Sequence, residues 1–248
     1  MLTFTPDGTK VLVANEGEPN DDYDIDPEGT ISIIDLTNGV ENITQNDVTS
    51  LNFNDFDASQ ETLAASGVRI FGPGASVSQD LEPEYITITE DSTTAYVSLQ
   101  ENNAYAIVDI ETSTITAIEP YGFKDHSLTE NAFDASNRID FIFMSSWNTL
   151  GMYQPDAIAN YDVNGTNYIV MANEGDARDY DGFSEEDRVG DLDLDPTAYP
   201  NADIIQLDEN LGRLTVSTAI GDTDGDGDID QIYSYGARSF SILDTTTG

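Results

Sequence analysis

Apolar and polar residues alternate along most of this chain, in runs that end at Asn, Asp and Gly. "KVLVANEG", residues 10–17, leads through an acidic loop to "GTISIIDLTNG", 29–39. "TAYVSLQENNAYAIVDIETSTI", 94–115, joins two such runs through a short "ENN" turn. "NYIVMANEGDARDYDG", 167–182, repeats the first half, and "DQIYSYGARSFSILDTTTG", 230–248, repeats both. A period of two, rich in β-branched and aromatic residues and bounded by turn formers, predicts antiparallel strands. Helix is scarce. "ASQETLAASGV", 58–68, predicts one short helix, with Ser59 at its N-cap and Gly67 at its end. "GFSEEDRVGDLDLDPTAYPNAD", 182–203, reads as a long surface loop with some helical turn.

The runs also repeat in detail. Ala14-Asn15-Glu16-Gly17 recurs as Ala172-Asn173-Glu174-Gly175, and each is followed by an acidic loop carrying a tyrosine. Recurring strand–turn–strand units predict an all-β fold, a β-propeller of antiparallel four-stranded blades. At about 40–50 residues per blade the length suits roughly five to six blades, some with insertions. No Pro- or Ser-rich linker divides the sequence, so residues 1–248 read as one domain. Both ends are strand-like, which fits a portion of a larger propeller.

Charge narrows the function. The net charge is -40, from 48 Asp and Glu against 8 Lys and Arg. Such a field repels nucleic acid and anionic membranes and attracts divalent cations. No apolar run approaches the ~20 residues of a membrane span. Cysteine is absent and His126 is the single histidine, so thiolate and His-rich metal centres are excluded. Oxygen ligands remain, and those suit calcium, magnesium or manganese.

"GDTDGDGDID", 221–230, is where such ligands are best spaced. Asp222, Asp224 and Asp226 take positions 1, 3 and 5 of a D-x-D-x-D-G-x-x-D loop, and Gly227 supplies the sharp turn at position 6. The Asp228 carbonyl falls at position 7, Ile229 can pin the loop to the core, and Asp230 binds directly or through water. Tyr233 stands where a helical calcium hand needs a glutamate, and "IYSY" follows as strand. The loop therefore resembles the calcium loops between propeller strands. A weaker second cluster, Glu174, Asp176 and Asp179, lies in the repeated Asn-Glu-Gly loop. Among the few cations, Arg178 and Arg238 could hold phosphate oxygens beside calcium, or simply pair with neighbouring carboxylates. His126 in "FKDHSL" reads as structural, and Trp147 as a packing residue.

"NEGEPNDDYDIDPEGTISIIDL", "GVRIFGPGASVSQDLEPEYI", "SLQENNAYAIVDI", "GFKDHSL", "LGMYQPDAIANY" and "NEGDARDY" resemble the choice-of-anchor I family, also described as mesenchyme-specific cell surface glycoprotein-like. The resemblance covers nearly the whole chain. It implies an extracellular or cell-surface, calcium-associated propeller of the YVTN/phytase-like kind, and it transfers no catalytic residue. Two functions follow as expectations. One is a calcium-binding module of a secreted or surface-anchored protein that binds an unidentified protein or matrix partner. The other is a calcium-dependent phosphoesterase, akin to alkaline phosphatase or phytase, so whether the chain is an enzyme stays open.

Overall fold

The structure, a computed structural model, describes residues 1–247. Strands dominate, as the alternation predicts. The first sheet holds β1 (Leu2–Phe4), β2 (Lys10–Asn15), β3 (Thr30–Asp35) and β4 (Val48–Asn52), each antiparallel to the next. The second repeats the plan with β5 (Ile86–Ile88), β6 (Thr94–Leu99), β7 (Ala104–Asp109) and β8 (Thr114–Pro120). Between β4 and β5 lie the helix α1 (Gln60–Ser66) and the single-turn α2 (Val77–Asp80). As expected, α1 follows Ser59 and ends on Gly67, whose φ of 108° is open to glycine at little cost.

The later strands depart from a simple series. β9 (Phe123–Asp125) and β10 (Thr149–Met152) precede β11 (Ile158–Val163) and β12 (Thr166–Asn173). A long excursion then carries β13 (Glu186–Arg188), the short helix α3 (Ala202–Ile205), β14 (Thr215–Ser217) and β15 (Ile232–Ser234) before β16 (Ser239–Asp244). β11, β12 and β16 form a three-stranded antiparallel sheet. The excursion joins β9 and β10 in a five-stranded sheet of order β13-β14-β15-β10-β9, in which β10 and β15 run parallel. The expectation of uniform four-stranded antiparallel blades therefore holds for two sheets and is corrected for the other two.

Packing explains why the second sheet reads as almost continuously apolar. Ala95, Val97, Leu99, Ala104, Ala106 and Val108 face the first sheet, in one core with Leu12, Ile31 and Ile33. Tyr96, Tyr105 and Ile107 face the other way, onto Ile158, Ile169, Met171 and Leu243 of the third sheet. A sheet covered on both faces needs apolar residues at both parities. The first strands β1, β5 and β11 lie side by side, β1 against β5 and β5 against β11. The segment 182–203, expected as a surface loop, is corrected by its core: Val189, Leu194 and Tyr199 are buried with Val216 and Ile232.

The repeats have structural work to do. Asp7 accepts from Thr5 Oγ1 at 2.6 Å and from Thr9 N and Oγ1 at 2.9 Å. Asp91 accepts from Thr89 and Thr93 in the same way, so each of these hairpins turns around one aspartate. The twin Ala-Asn-Glu-Gly motifs tie second strands to third strands. Asn15 Nδ2 donates to Thr30 and Ser32, and Asn173 Nδ2 donates to Ser239 and Ser241. A Cβ on Gly17 would lie 2.8 Å from Gly29 N, and one on Gly175 would lie 2.0 Å from Gly236 N, so both glycines are required by close backbone approach.

Candidate metal centre

The loop Asp222–Asp230 closes on itself through its own carboxylates. Asp222 accepts from Gly225 N at 2.7 Å and from Gly227 N at 3.0 Å. Asp230 Oδ2 accepts from both the backbone N and the hydroxyl of Thr223 at 2.7 Å, which holds its carboxyl below the usual range. Gly225 and Gly227 supply φ values of 80° and 103°, which let the chain turn this tightly.

Among the described residues, two groups of three carboxylates each bring one ligand atom per residue within 4.8 Å of one another. Asp222, Asp224 and Asp226 form the first, fully exposed. Asp195, Asp228 and Asp230 form the second, half-buried. The five aspartates picked out by spacing are thus shared between two groups, and Asp195 comes from elsewhere in the chain. It arrives through a parallel bridge between Leu194 and Ile229, in which Ile229 N donates to Asp193 O at 2.9 Å and Asp195 N to Ile229 O at 3.1 Å. Ile229 packs on the core beside Val216 and Ile232, as expected for the residue that pins the loop.

Mutual repulsion leaves its mark. Desolvation, followed by the charges of Asp226 and Asp195, pushes the Asp228 carboxyl up to about 6. Asp224 is also raised, chiefly by Asp226. Asp228 Oδ1 is buried without any hydrogen-bond partner. An orphaned carboxylate oxygen beside two further carboxylates is what an oxygen-liganded cation would satisfy, and the donor set is hard throughout. The residues present therefore fit calcium.

Asp195 escaped the sequence reading, although "GDLDLDP", 190–196, places Asp191, Asp193 and Asp195 on alternate positions much as the main loop does. Glu174, Asp176 and Asp179 do not form a group of this kind. All three are exposed, and Asp176 instead accepts from Ala177 N at 2.8 Å.

Arg178 and Arg238 lie in unlike settings. Arg178 is buried, with Nη1 on Asp80 Oδ1 at 2.7 Å, Nη2 on the Asp80 carbonyl at 2.7 Å and Nη2 paired with Glu82 at 2.9 Å. Burial lowers its pKa, but Asp80 and Glu82 outweigh that and leave the guanidinium firmly charged. Arg69 pairs with Glu185 in the same interior, and Phe71 lies under both guanidiniums, at 4.1 and 4.6 Å. Arg238 is instead exposed and sits 4.7 Å over the Phe133 ring. His126 is buried, with Nδ1 2.8 Å from the Asn131 carbonyl and its ring against Phe133. Trp147 packs on the core and donates to the Phe133 carbonyl.

Sequence reasoning also missed an interior acidic cluster around Glu82, Glu84 and Glu101. Asn102 organises it, donating to the carbonyls of Arg69 and Asp80 and accepting from Glu82 N. Glu82 is 1% exposed. Its contact with Arg178 is an ion pair without hydrogen-bond alignment, and Oε2 has no partner at all. Desolvation pushes Glu82 up to about 8, and desolvation with the adjoining Glu101 pushes Glu84 up to about 11. The only hint in the sequence is "EPE" followed by "QENN", 82–84 and 100–103.

A family model, the choice-of-anchor I domain, matches residues 1–248. No curated protein matches the chain. Among solved structures, one titled "Structure of U3-55K" is 11% identical, with a TM-score of 0.29 over 69% of this chain and 35% of that one. The chain thus spans about a third of that structure's length, and a likeness at this score supports no conclusion. No helix among the described residues is long and apolar enough to cross a membrane.

Proposed function

The chain belongs to the choice-of-anchor I domain family, whose name points to a module of a surface-anchored protein, and from that premise we propose that it is a calcium-stabilised β-propeller module serving outside the cell. Its role is to present a rigid, calcium-locked surface to a protein or matrix partner. One observation carries the calcium reading: Asp228 Oδ1 is buried and unpartnered within reach of Asp195 and Asp230. A cation there neutralises the repulsion that otherwise opposes the loop, and binding adds to folding stability. It also welds the 221–230 loop to the 193–195 segment, two parts of the five-stranded sheet's core. Three sheets packed face to face, with their first strands adjoining, support the propeller. The phosphoesterase alternative draws no support from Arg178 or Arg238, since the first is consumed by Asp80 and Glu82 and the second lies over Phe133.

Calorimetric titration of chelator-treated protein with calcium tests this reading. Binding is expected, and Asp195→Asn with Asp228→Asn should weaken it. Unchanged calcium binding in that double variant would remove the support from this loop.

A further inference from the structure

The scarce cations of this chain are not spread over its surface. Arg213 and Arg238 line a cavity of about 480 Å³, bounded by β13, the start of β14, the turn after β15 and residues 134–137. Three more cations adjoin it. Arg138 follows Asn137 of the lining, Arg188 Nη1 donates to the Arg213 carbonyl, and Lys124 Nζ donates at 3.1 Å to the Ala237 carbonyl, next to Arg238. Five of the eight lysines and arginines therefore gather around one cavity, in a chain with 48 acidic residues. Such a concentration makes a positive island in a negative field.

Carboxylates do not neutralise it. Among the described residues Arg188, Arg213 and Arg238 have no ion pair, and Arg138 has only an exposed one with Asp208 at 3.9 Å. Arg213 donates from Nε to Asn137 Oδ1 at 3.3 Å, and its Nη groups have no partner. Arg238 stacks its face on Phe133 at 4.7 Å, which leaves its N–H edge free. Its backbone is also strained: a φ of 49° lies in the left-handed region that residues other than glycine rarely adopt. Ala237 N, one residue earlier, donates to the Asn173 carbonyl at 3.2 Å and fixes the turn. Strain held in this way gathers at binding and catalytic sites.

The rest of the lining bears on what else the ligand carries. Asp134 and Glu186 line the same cavity, and Asp134 Oδ1 is buried with no hydrogen-bond partner. A bare anion would leave that acceptor unsatisfied. Ser136 and Asn137 add neutral polar groups. An oxyanion for the guanidiniums and several hydroxyl donors for the acids occur together on an acidic sugar, and the cavity has the size of a small-ligand site. The net charge of -40 repels polyanions, which favours an isolated acidic sugar over a chain charged at every unit.

We propose that this cavity binds a uronate-type sugar, its carboxylate on Arg213 and Arg238 and its hydroxyls toward Asp134 and Glu186. This assignment rests on the extracellular binding role proposed above and gives it a glycan ligand, but it does not depend on calcium in the Asp222–Asp230 loop.

Calorimetric titration of the full chain with glucuronate is the test, beside glucose, acetate, sulfate and alanine. Glucose lacks the oxyanion, acetate and sulfate lack the hydroxyls, and alanine offers a single ammonium. Glucuronate is expected to bind at least about tenfold more tightly than each, and Arg238→Gln, a change at an exposed side chain, should weaken it at least about tenfold, as loss of a charged hydrogen-bond partner does. A folded chain that binds no glucuronate overturns the inference. So does equal affinity for any of the comparison ligands, or an affinity unchanged in both Arg238→Gln and Arg213→Gln. If neither variant folds, glucuronate-soaked crystals of the unaltered chain decide: density against Arg213 and Arg238 supports the site, and density elsewhere or none overturns it. Calcium should bind Arg238→Gln as it binds the parent, so a chain that takes calcium but no glucuronate overturns this inference alone.

Discussion

The two acidic regions use one residue chemistry in opposite surroundings. In the Asp222–Asp230 loop most carboxylates are exposed and accept bonds from their own backbone and from Thr223. In the interior, Glu82 is withdrawn from water against the Arg178 guanidinium, and the half-buried Glu84 and Glu101 each keep one oxygen away from water without a hydrogen-bond partner. Local sequence builds the first region, so alternate spacing reveals it. The second is assembled from residues of separate turns by sheet packing, so no spacing exposes it. The exposed region carries its repulsion mostly in water, where screening weakens it. The buried one depends on its counter-charges.

Breaking the buried side should have the largest effect. Arg178→Ala leaves Asp80 and Glu82 buried without their cation, and removing one partner of a buried pair costs about 3–5 kcal/mol. Chemical denaturation should show a fall of that order, with activity of the loop toward calcium preserved in whatever fraction folds. An unchanged midpoint would mean that the interior is wetter than its burial indicates.

Calcium removal should come next. At a calcium concentration about 100 times Kd, binding adds about 2.7 kcal/mol, or roughly 5–10 °C in a chain of this size. Chelator should lower the melting temperature of the parent by that amount. Asp224→Asn with Asp228→Asn should melt at the same temperature with and without chelator.

A third test separates the regions by pH. Glu82 is raised in the folded chain, from 4.5 to about 8, so the folded state keeps a proton the unfolded chain has released. Its contribution is complete below about 4.5 and is lost as pH rises through about 8. Asp7 and Asp91 are shifted the other way, held low first by Thr5 and Thr89 hydroxyls. Their contribution is complete above 3.8 and is lost as pH falls through their folded values. Metal-free protein should therefore lose stability between about pH 4.5 and about pH 8, and Glu82→Gln should flatten that slope. Asp91→Asn should act only on the acid side. A slope unaffected by Glu82→Gln would assign the loss to other groups.

The smallest expected effect lies in the core beneath the loop, where Tyr199 packs with Leu194 and Ile229. Tyr199 donates to the Asn148 carbonyl and accepts from Ile232 N. Tyr199→Phe should cost about 1–3 kcal/mol, since it strands the buried Ile232 amide, while leaving calcium affinity unchanged. A large fall in affinity would show that the 193–195 segment is positioned through this tyrosine.

What could be read in advance follows from how local each feature is. The first two sheets are hairpins with periods and turn residues in sequence, so "FTPDGTKVLVAN" and "ITITEDSTTAYVSL" announce themselves. The loop of alternate aspartates is equally local. The five-stranded sheet was hidden because its strands are three or four residues long and β10 pairs in parallel with β15, far along the chain. Asp195 was hidden because a long-range bridge delivers it. The twin Asn-Glu-Gly motifs were visible but suggested acid chemistry, whereas their Asn and Gly residues serve backbone closure.

The third sheet has a consequence for how the chain reaches its fold. β12 ends at Asn173 and its partner β16 starts at Ser239, with residues 174–238 between them. Closing so long a loop carries an entropic charge that rises by about 0.6 kcal/mol per doubling of length, and it must be met before β16 gains any pairing. The excursion shortens that search only by folding first, into the sheet that β9 and β10 have already begun. In a refolding time course followed by hydrogen exchange, amides at the β12–β16 seam should therefore gain protection after those of β6 and β7. The pairing of β12 with β16 is thereby made conditional on the order of the segment that separates them.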